Sequence, residues 1–235
     1  MRRSQAEHAA ALAAREEKAR ATGKKPGGKP PAPPSHGPKA NDQINLTDEE
    51  SRIMKVPGGG FDQCCNAQAV VAAESLLVLA ASVVQATSDK SQLEPMLARL
   101  AGLPEVLGKP ETLLAAAGYF SAANVTACDA AGIAALIAMG REPHYCTLAE
   151  RYAPAPPAPE NPTPVAAMAH WLKTPEGKKL YALRKQTPEP VFGIIKSVLG
   201  FRQFLLRGLA QVRGEWSLVT MAWNLKRMFV LSHSG

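Results

Sequence analysis

Residues 66–97 read NAQAVVAAESLLVLAASVVQATSDKSQLEPML, and this stretch decides the fold class. Two short apolar runs, NAQAVV and SLLVLAASVVQATS, are bounded by polar residues and read as neighbouring strands. The period then changes: in DKSQLEPMLARLAGL, Leu93, Met96, Leu97 and Leu100 fall on one helical face. Downstream, TLLAAAG predicts a third strand ended by Gly118, SAANVTACDAAG a helix, and IAALIAM a fourth short strand. Strands followed by helix, strand, helix and strand predict an α/β sheet with helices packed on it.

Working outward, the chain divides by composition. Residues 1–22 read as a polar helix rich in Ala, Glu and Arg, and TGKKPGGKPPAPPSHGPKA is a Pro/Gly/Lys linker that cannot build a packed core. Residues 1–40 are therefore a helical tail and linker, 41–150 the α/β core, 151–170 a Pro-rich loop expected to be extended and exposed, and 171–235 a helical C-terminal part. At 235 residues and 46% hydrophobic content, one sizeable core is the expectation.

Charge follows the same divisions. Residues 1–40 carry nine Lys/Arg against three acids, 41–170 seven against fourteen, and 171–235 eleven against three. Basic ends around an acidic middle suit contact with nucleic-acid phosphates, and equally suit solvated surfaces. Cys64, Cys65, Cys128 and Cys146 have neither zinc-ligand spacing nor a secreted disulfide pattern, and read as reduced thiols. The N-terminus has no signal-peptide apolar run and no stretch is apolar enough to span a membrane, so a soluble cytoplasmic protein is expected.

The stretch YALRKQTPEPVFGIIK, Tyr181 to Lys196, isolates one carboxylate, Glu189, between two prolines. Thr187 is positioned to cap a helix whose first turn is Pro188, Glu189 and Pro190, where missing N–H donors do no harm and a negative charge suits the dipole. Val191, Ile194, Ile195 and Val198 recur at helical spacing and predict a buried stripe, with Glu189 and Lys196 on another face. Trp216 and Trp223 read as core anchors of a last helix, surrounded by Leu218, Val219 and Leu225. Gly58–Gly60 reads as a loop, and His170 as structural or exposed.

Several blocks, taken in order, resemble bacterial insertion-sequence transposases of the DDE class: NLTDEESRIMK, GGFDQCCNAQAVV, DKSQLEPML, AAAGYFSAANV, the Tyr181–Lys196 stretch, and GFRQFLLRGLAQVRGEWSLVTMAWNLKRM. The resemblance extends to a helical region of that family in which a Tyr, an Arg, the catalytic Glu and a Lys lie together. Here those positions are Tyr181, Arg184, Glu189 and Lys196, with the gap from Arg to Glu one residue longer than usual.

The resemblance implies an RNase H-like mixed sheet on which two Asp and one Glu hold Mg²⁺ for in-line displacement at DNA phosphorus. Glu189 is then the third carboxylate and metal ligand. The second position, where family members read Ala-Asp-x-Gly-Tyr, is Ala116. The first Asp belongs to a strand preceding an insertion that resembles residues 1–40, so the sheet is expected to be incomplete, with that strand absent. Asp48, Asp62 and Asp89 all lie in later blocks. The implied function is a transposase DDE-domain fragment, inactive in Mg-dependent strand cleavage and transfer. Alternatives are a non-catalytic module that binds DNA or a transposase, and a gene remnant without function. Expected partners are DNA, with Tyr181, Arg184, Lys196, Arg202, Arg207 and Arg213 as contacts, and a full-length transposase or a second copy in a homo-oligomer; no membrane is expected.

Overall fold

The computed structural model describes residues 44–56, 59–140 and 157–233, with positions 8, 9, 12, 13, 15–17, 19, 20, 30, 31 and 33 nearer the N-terminus. Two compact units result, Met1–Ile44 and Asn45–Gly235. In the first, the described positions from 8 to 20 are helical. The remainder of the expected linker, the expected loop residues 151–156 and Cys146 lie outside the described residues.

The second unit is mixed α/β. Its strands are β1 (Arg52–Lys55), β2 (Phe61–Cys64), β3 (Asn66–Val71), β4 (Val78–Val84), β5 (Thr112–Ala115) and β6 (Ala134–Ile137). Its described α-helices are α1 (Leu93–Ala101), α2 (Ala122–Ala130), α3 (Pro164–Trp171), α4 (Pro175–Gln186), α5 (Pro188–Ser197) and α6 (Leu209–Ser232). The strands pair as β1–β2 and β3–β4, both antiparallel, and β5–β6, parallel. The parallel pair needs a crossover, which α2 supplies. Among the described residues the expected single mixed sheet is thus divided into three two-stranded sheets, because no backbone ladder joins β3 or β4 to β5.

Alternation along β3 explains the layering. Ala67, Ala69 and Val71 face a core with Val78, Val83, Val191, Ile195, Val212, Trp216 and Trp223, under α5 and α6. Val70, with Leu79 and Ala80 of β4, joins a second core with Leu93, Met96, Leu97, Leu100, Val125, Cys128, Ile137 and Met168, under α1, α2 and α3. The four-residue apolar stripe predicted for α1 is buried throughout. The stripe predicted for α5 is buried at Val191 and Ile195 but stops at Val198, which follows the last helical residue and is exposed.

Two sequence expectations are corrected here, and one hairpin goes beyond them. Pro164–Trp171 form α3, which takes residues 164–170 out of the expected Pro-rich loop, since Thr163 accepts from Ala166 N–H and Pro164 sits in the first turn. The β1–β2 hairpin was not foreseen; Gly59 and Gly60 turn it with φ of +90° and +96°. Thr187 stands at the start of α5 but makes no side-chain cap, and its hydroxyl donates to Leu183 O instead (2.7 Å). The reason is local: Pro190 removes the third N–H of the helix, and Thr187 has a helical-region backbone (φ −111°, ψ −79°) rather than the extended one of a cap residue.

The last helix is fixed by polar groups on strand backbone. Asn224 Oδ1 accepts from Val78 N–H and its Nδ2 donates to Val78 O, both at 2.8 Å. Arg213 Nε donates to Val83 O, Trp216 Nε1 to Gln68 O, Trp223 Nε1 to Leu76 O and Arg227 Nε to Ser75 O. These bonds set the rotation of α6. Trp216 and Trp223 are core anchors as expected, at 3% and 4% exposure, while Leu218 and Leu225 point outward instead of surrounding them.

Candidate active site

The C-terminal end of β5 is the natural place to build the site. After Ala115 the chain enters a 3₁₀ turn, Ala117–Tyr119, with the half-buried Ala116 ahead of it. Tyr119 reaches β3, where its hydroxyl donates to Gln68 Oε1. Asn66 and Gln68, two apart and on one face of β3, each donate from the side-chain amide to Asp89 Oδ1, at 2.8 and 2.9 Å. Burial, together with the Asp89 charge, pushes the Tyr119 phenol up to about 12, despite the Gln68 bond. Asp89 also crowds Gly118: a Cβ there would lie 3.3 Å from its Oδ2.

Asp89 is therefore the carboxylate that stands against the turn after Ala116, and one of its oxygens already accepts two N–H groups. Asp48 and Asp62 are occupied locally, accepting from the backbone N–H of Glu50 and Gln63. The importance of Asp89 escaped sequence reading because its partners lie 21 and 23 residues away.

The α4–α5 segment approaches the same strand end. Tyr181 donates its hydroxyl to Ala115 O at 3.1 Å. Arg184, one turn further, lies over the Tyr181 ring at 5.8 Å and pairs through Nη1 with Glu189 Oε1 at 3.4 Å. A continuous line of contacts thus runs from β5 through Tyr181 and Arg184 to Glu189. The start of α4 is set by Gly177, where a Cβ would collide with the Trp171 carbonyl, and by Thr174, whose hydroxyl oxygen accepts from Gly177 N–H (3.1 Å). Only glycine permits α3 and α4 to approach this closely.

The predicted basic contacts divide into groups. Lys196 is exposed in the last turn of α5, and Arg202 and Arg207 are exposed in the loop between α5 and α6. That loop is braced by Glu215, whose carboxylate accepts from Leu205 and Leu206 N–H at 2.9 to 3.1 Å. Arg213 uses Nε to hold β4, leaving its terminal nitrogens at an exposed residue. Arg184 is the partner of Glu189. The NLTDEES block has a structural use that sequence reading missed: Glu50 Oε2 accepts from Leu209 N–H (2.6 Å) at the start of α6.

Against these residues a magnesium pair does not fit. Glu189 is held by a cation, position 116 offers a methyl group, and Asp89 Oδ1 is hydrogen-bonded twice. Among the described residues no group of three or more His, Cys, Asp or Glu is placed to hold a metal ion. Cys64, Cys65 and Cys128 are free thiols, and burial raises all three, Cys128 to about 11. Among the described residues no helix is long and apolar enough to cross a membrane.

Residues 145–229 match the transposase DDE domain family. The matched stretch contains Tyr181, Arg184, Glu189, Lys196, Arg202, Arg207 and Arg213, and does not reach back to Ala116 or Asp89. No curated protein and no solved structure matches the chain.

Proposed function

We propose that the chain is a DNA-binding, transposase-type domain of RNase H-like design that does not itself cleave DNA. The carrying observation is the contact line Ala115–Tyr181–Arg184–Glu189, which brings the segment matched by the transposase DDE domain to the strand end where a second carboxylate would stand. That position is Ala116, and a methyl group cannot bind a cation. The antiparallel β3–β4 pair and the parallel β5–β6 pair, each covered by helices, are the arrangement expected on either side of a central strand.

The DNA surface is the C-terminal part, with eleven Lys/Arg against three acids in 171–235. Lys196, Arg202, Arg207 and the free end of Arg213 make the phosphate contacts. Tyr181 and Arg184 act differently, the first tying α4 to β5 and the second pairing with Glu189. Four such phosphate contacts give a slope of log affinity against log salt near −4 (about −0.9 per phosphate). Fluorescence anisotropy on a labelled duplex tests this: Arg202→Ala with Arg207→Ala reduces the slope by about 2, and an affinity that does not change with salt rejects the assignment.

A further inference from the structure

The loop between α5 and α6 carries two leucines that its own bonding keeps at the surface. Its inward positions are taken by Phe201 and Phe204, half-buried and edge-on to each other at 5.7 Å, with Phe204 edge-on to Trp216 at 6.4 Å. Leu205 and Leu206 are left 72% and 51% exposed, between the exposed Arg202 and Arg207. Neither leucine can swing under the loop, because Glu215 accepts the N–H of both at 2.9 to 3.1 Å and so fixes their backbone.

Electrostatics select the partner. No acid lies between Val198 and Gly208. The carboxylates that reach the loop and the start of α6 are turned onto backbone N–H groups, Glu215 onto Leu205 and Leu206 and Glu50 onto Leu209. Facing outward are a cation, two leucines and a second cation. An apolar partner alone would leave both arginines without a counter-charge, and a polyanion alone would leave the leucines without apolar contact. Duplex DNA supplies both, with phosphates outside and stacked bases inside. Leucine is among the side chains that enter base steps, unstack them and kink the duplex by about 20–90°. We propose that Leu205 and Leu206 form a wedge that opens one base step of duplex DNA while Arg202 and Arg207 hold phosphates beside it. This wedge rests on the DNA-binding reading above, and adds to it a distortion that phosphate contacts do not require.

The full chain is tested on two short duplexes, one fully paired and one with a central mismatch beside 2-aminopurine, each with donor and acceptor dyes at its ends. A mismatched step needs less energy to open, so the expected result is binding about tenfold or more tighter than to the paired duplex. The 2-aminopurine brightens as it unstacks, and energy transfer between the ends rises with the kink. Leu205→Ala with Leu206→Ala loses all three signals yet binds with the parent's salt slope. Leu205→Met with Leu206→Met keeps them, since methionine also wedges. An unchanged circular dichroism spectrum shows that each variant folds. Salt-dependent binding without preference, brightening or kink, or signals that persist in the alanine variant, overturns the wedge alone. No salt-dependent binding overturns the DNA reading with it. Leucine-dependent binding to anionic-lipid vesicles, with no DNA distortion, assigns the loop to a membrane and also overturns the proposal.

Discussion

Replacing Asn224 with alanine removes both hydrogen bonds that join α6 to Val78 at the free edge of β4. The two distances are 2.8 Å, and Val78 is 7% exposed, so water replaces the lost partners poorly. Each bond contributes on the order of 1 kcal/mol net, and leaving a buried backbone N–H and C=O unpaired adds to the loss, for a total of about 2–4 kcal/mol. Urea unfolding followed by tryptophan fluorescence reads this directly, since the buried Trp216 and Trp223 lie on the same helix, Trp223 next to Asn224. With a urea dependence of about 1–3 kcal/mol per molar, the midpoint falls by roughly 1–3 M. Asn224→Asp is expected to be no better than alanine, because it keeps an acceptor for Val78 N–H but sets a carboxylate against Val78 O. Gln211→Ala, on an exposed turn of the same helix, costs less than about 0.5 kcal/mol. A loss below about 0.5 kcal/mol for Asn224→Ala would refute the idea that polar groups on strand backbone fix the helix.

Two further outcomes concern the network beside Ala116. Asp89→Ala removes the acceptor shared by Asn66 and Gln68, whose amide nitrogens each keep one other acceptor, and is expected to lower stability by about 1–3 kcal/mol in the same assay. Tyr119 is held protonated to about 12, above its unfolded value of 10, so its contribution is complete below pH 10 and declines as pH rises toward 12. Absorbance titration at alkaline pH is expected to show one late-ionising tyrosine that Tyr119→Phe removes, and a Tyr119→Phe spectrum identical to that of the parent would contradict the assignment.

What was legible in the sequence follows from what patterns encode. The runs NAQAVV, SLLVLAASVVQATS, TLLAAAG and IAALIAM contain β3 to β6, because apolar strands between polar turns leave a pattern that can be read directly. The β1–β2 hairpin leaves no such trace, since most of its residues are exposed and even Phe61 is 74% exposed. The outward direction of Leu218 and Leu225 was hidden for another reason: the rotation of α6 is set by Asn224 and two arginines on backbone, and an apolar count is blind to such bonds. The Glu189 helix was legible from its prolines and periodicity and its role only through the family resemblance, yet its pairing with Arg184 and the tie from Tyr181 to Ala115 depend on how α4 approaches β5. That approach rests on Gly177, whose need for a missing Cβ appears only when the Trp171 carbonyl is in place.

The central claim, a transposase-type domain that binds DNA without cutting it, is tested most directly by incubating the purified chain with supercoiled DNA and Mg²⁺ or Mn²⁺ and measuring nicked product. Ala116 and the Arg184–Glu189 pair predict no metal-dependent nicking above a metal-free control, and no difference between the chain and its Glu189→Gln variant. Nicking that requires the divalent metal and disappears in Glu189→Gln would contradict the account, and would assign a ligand role to Asp89 or another carboxylate of this chain.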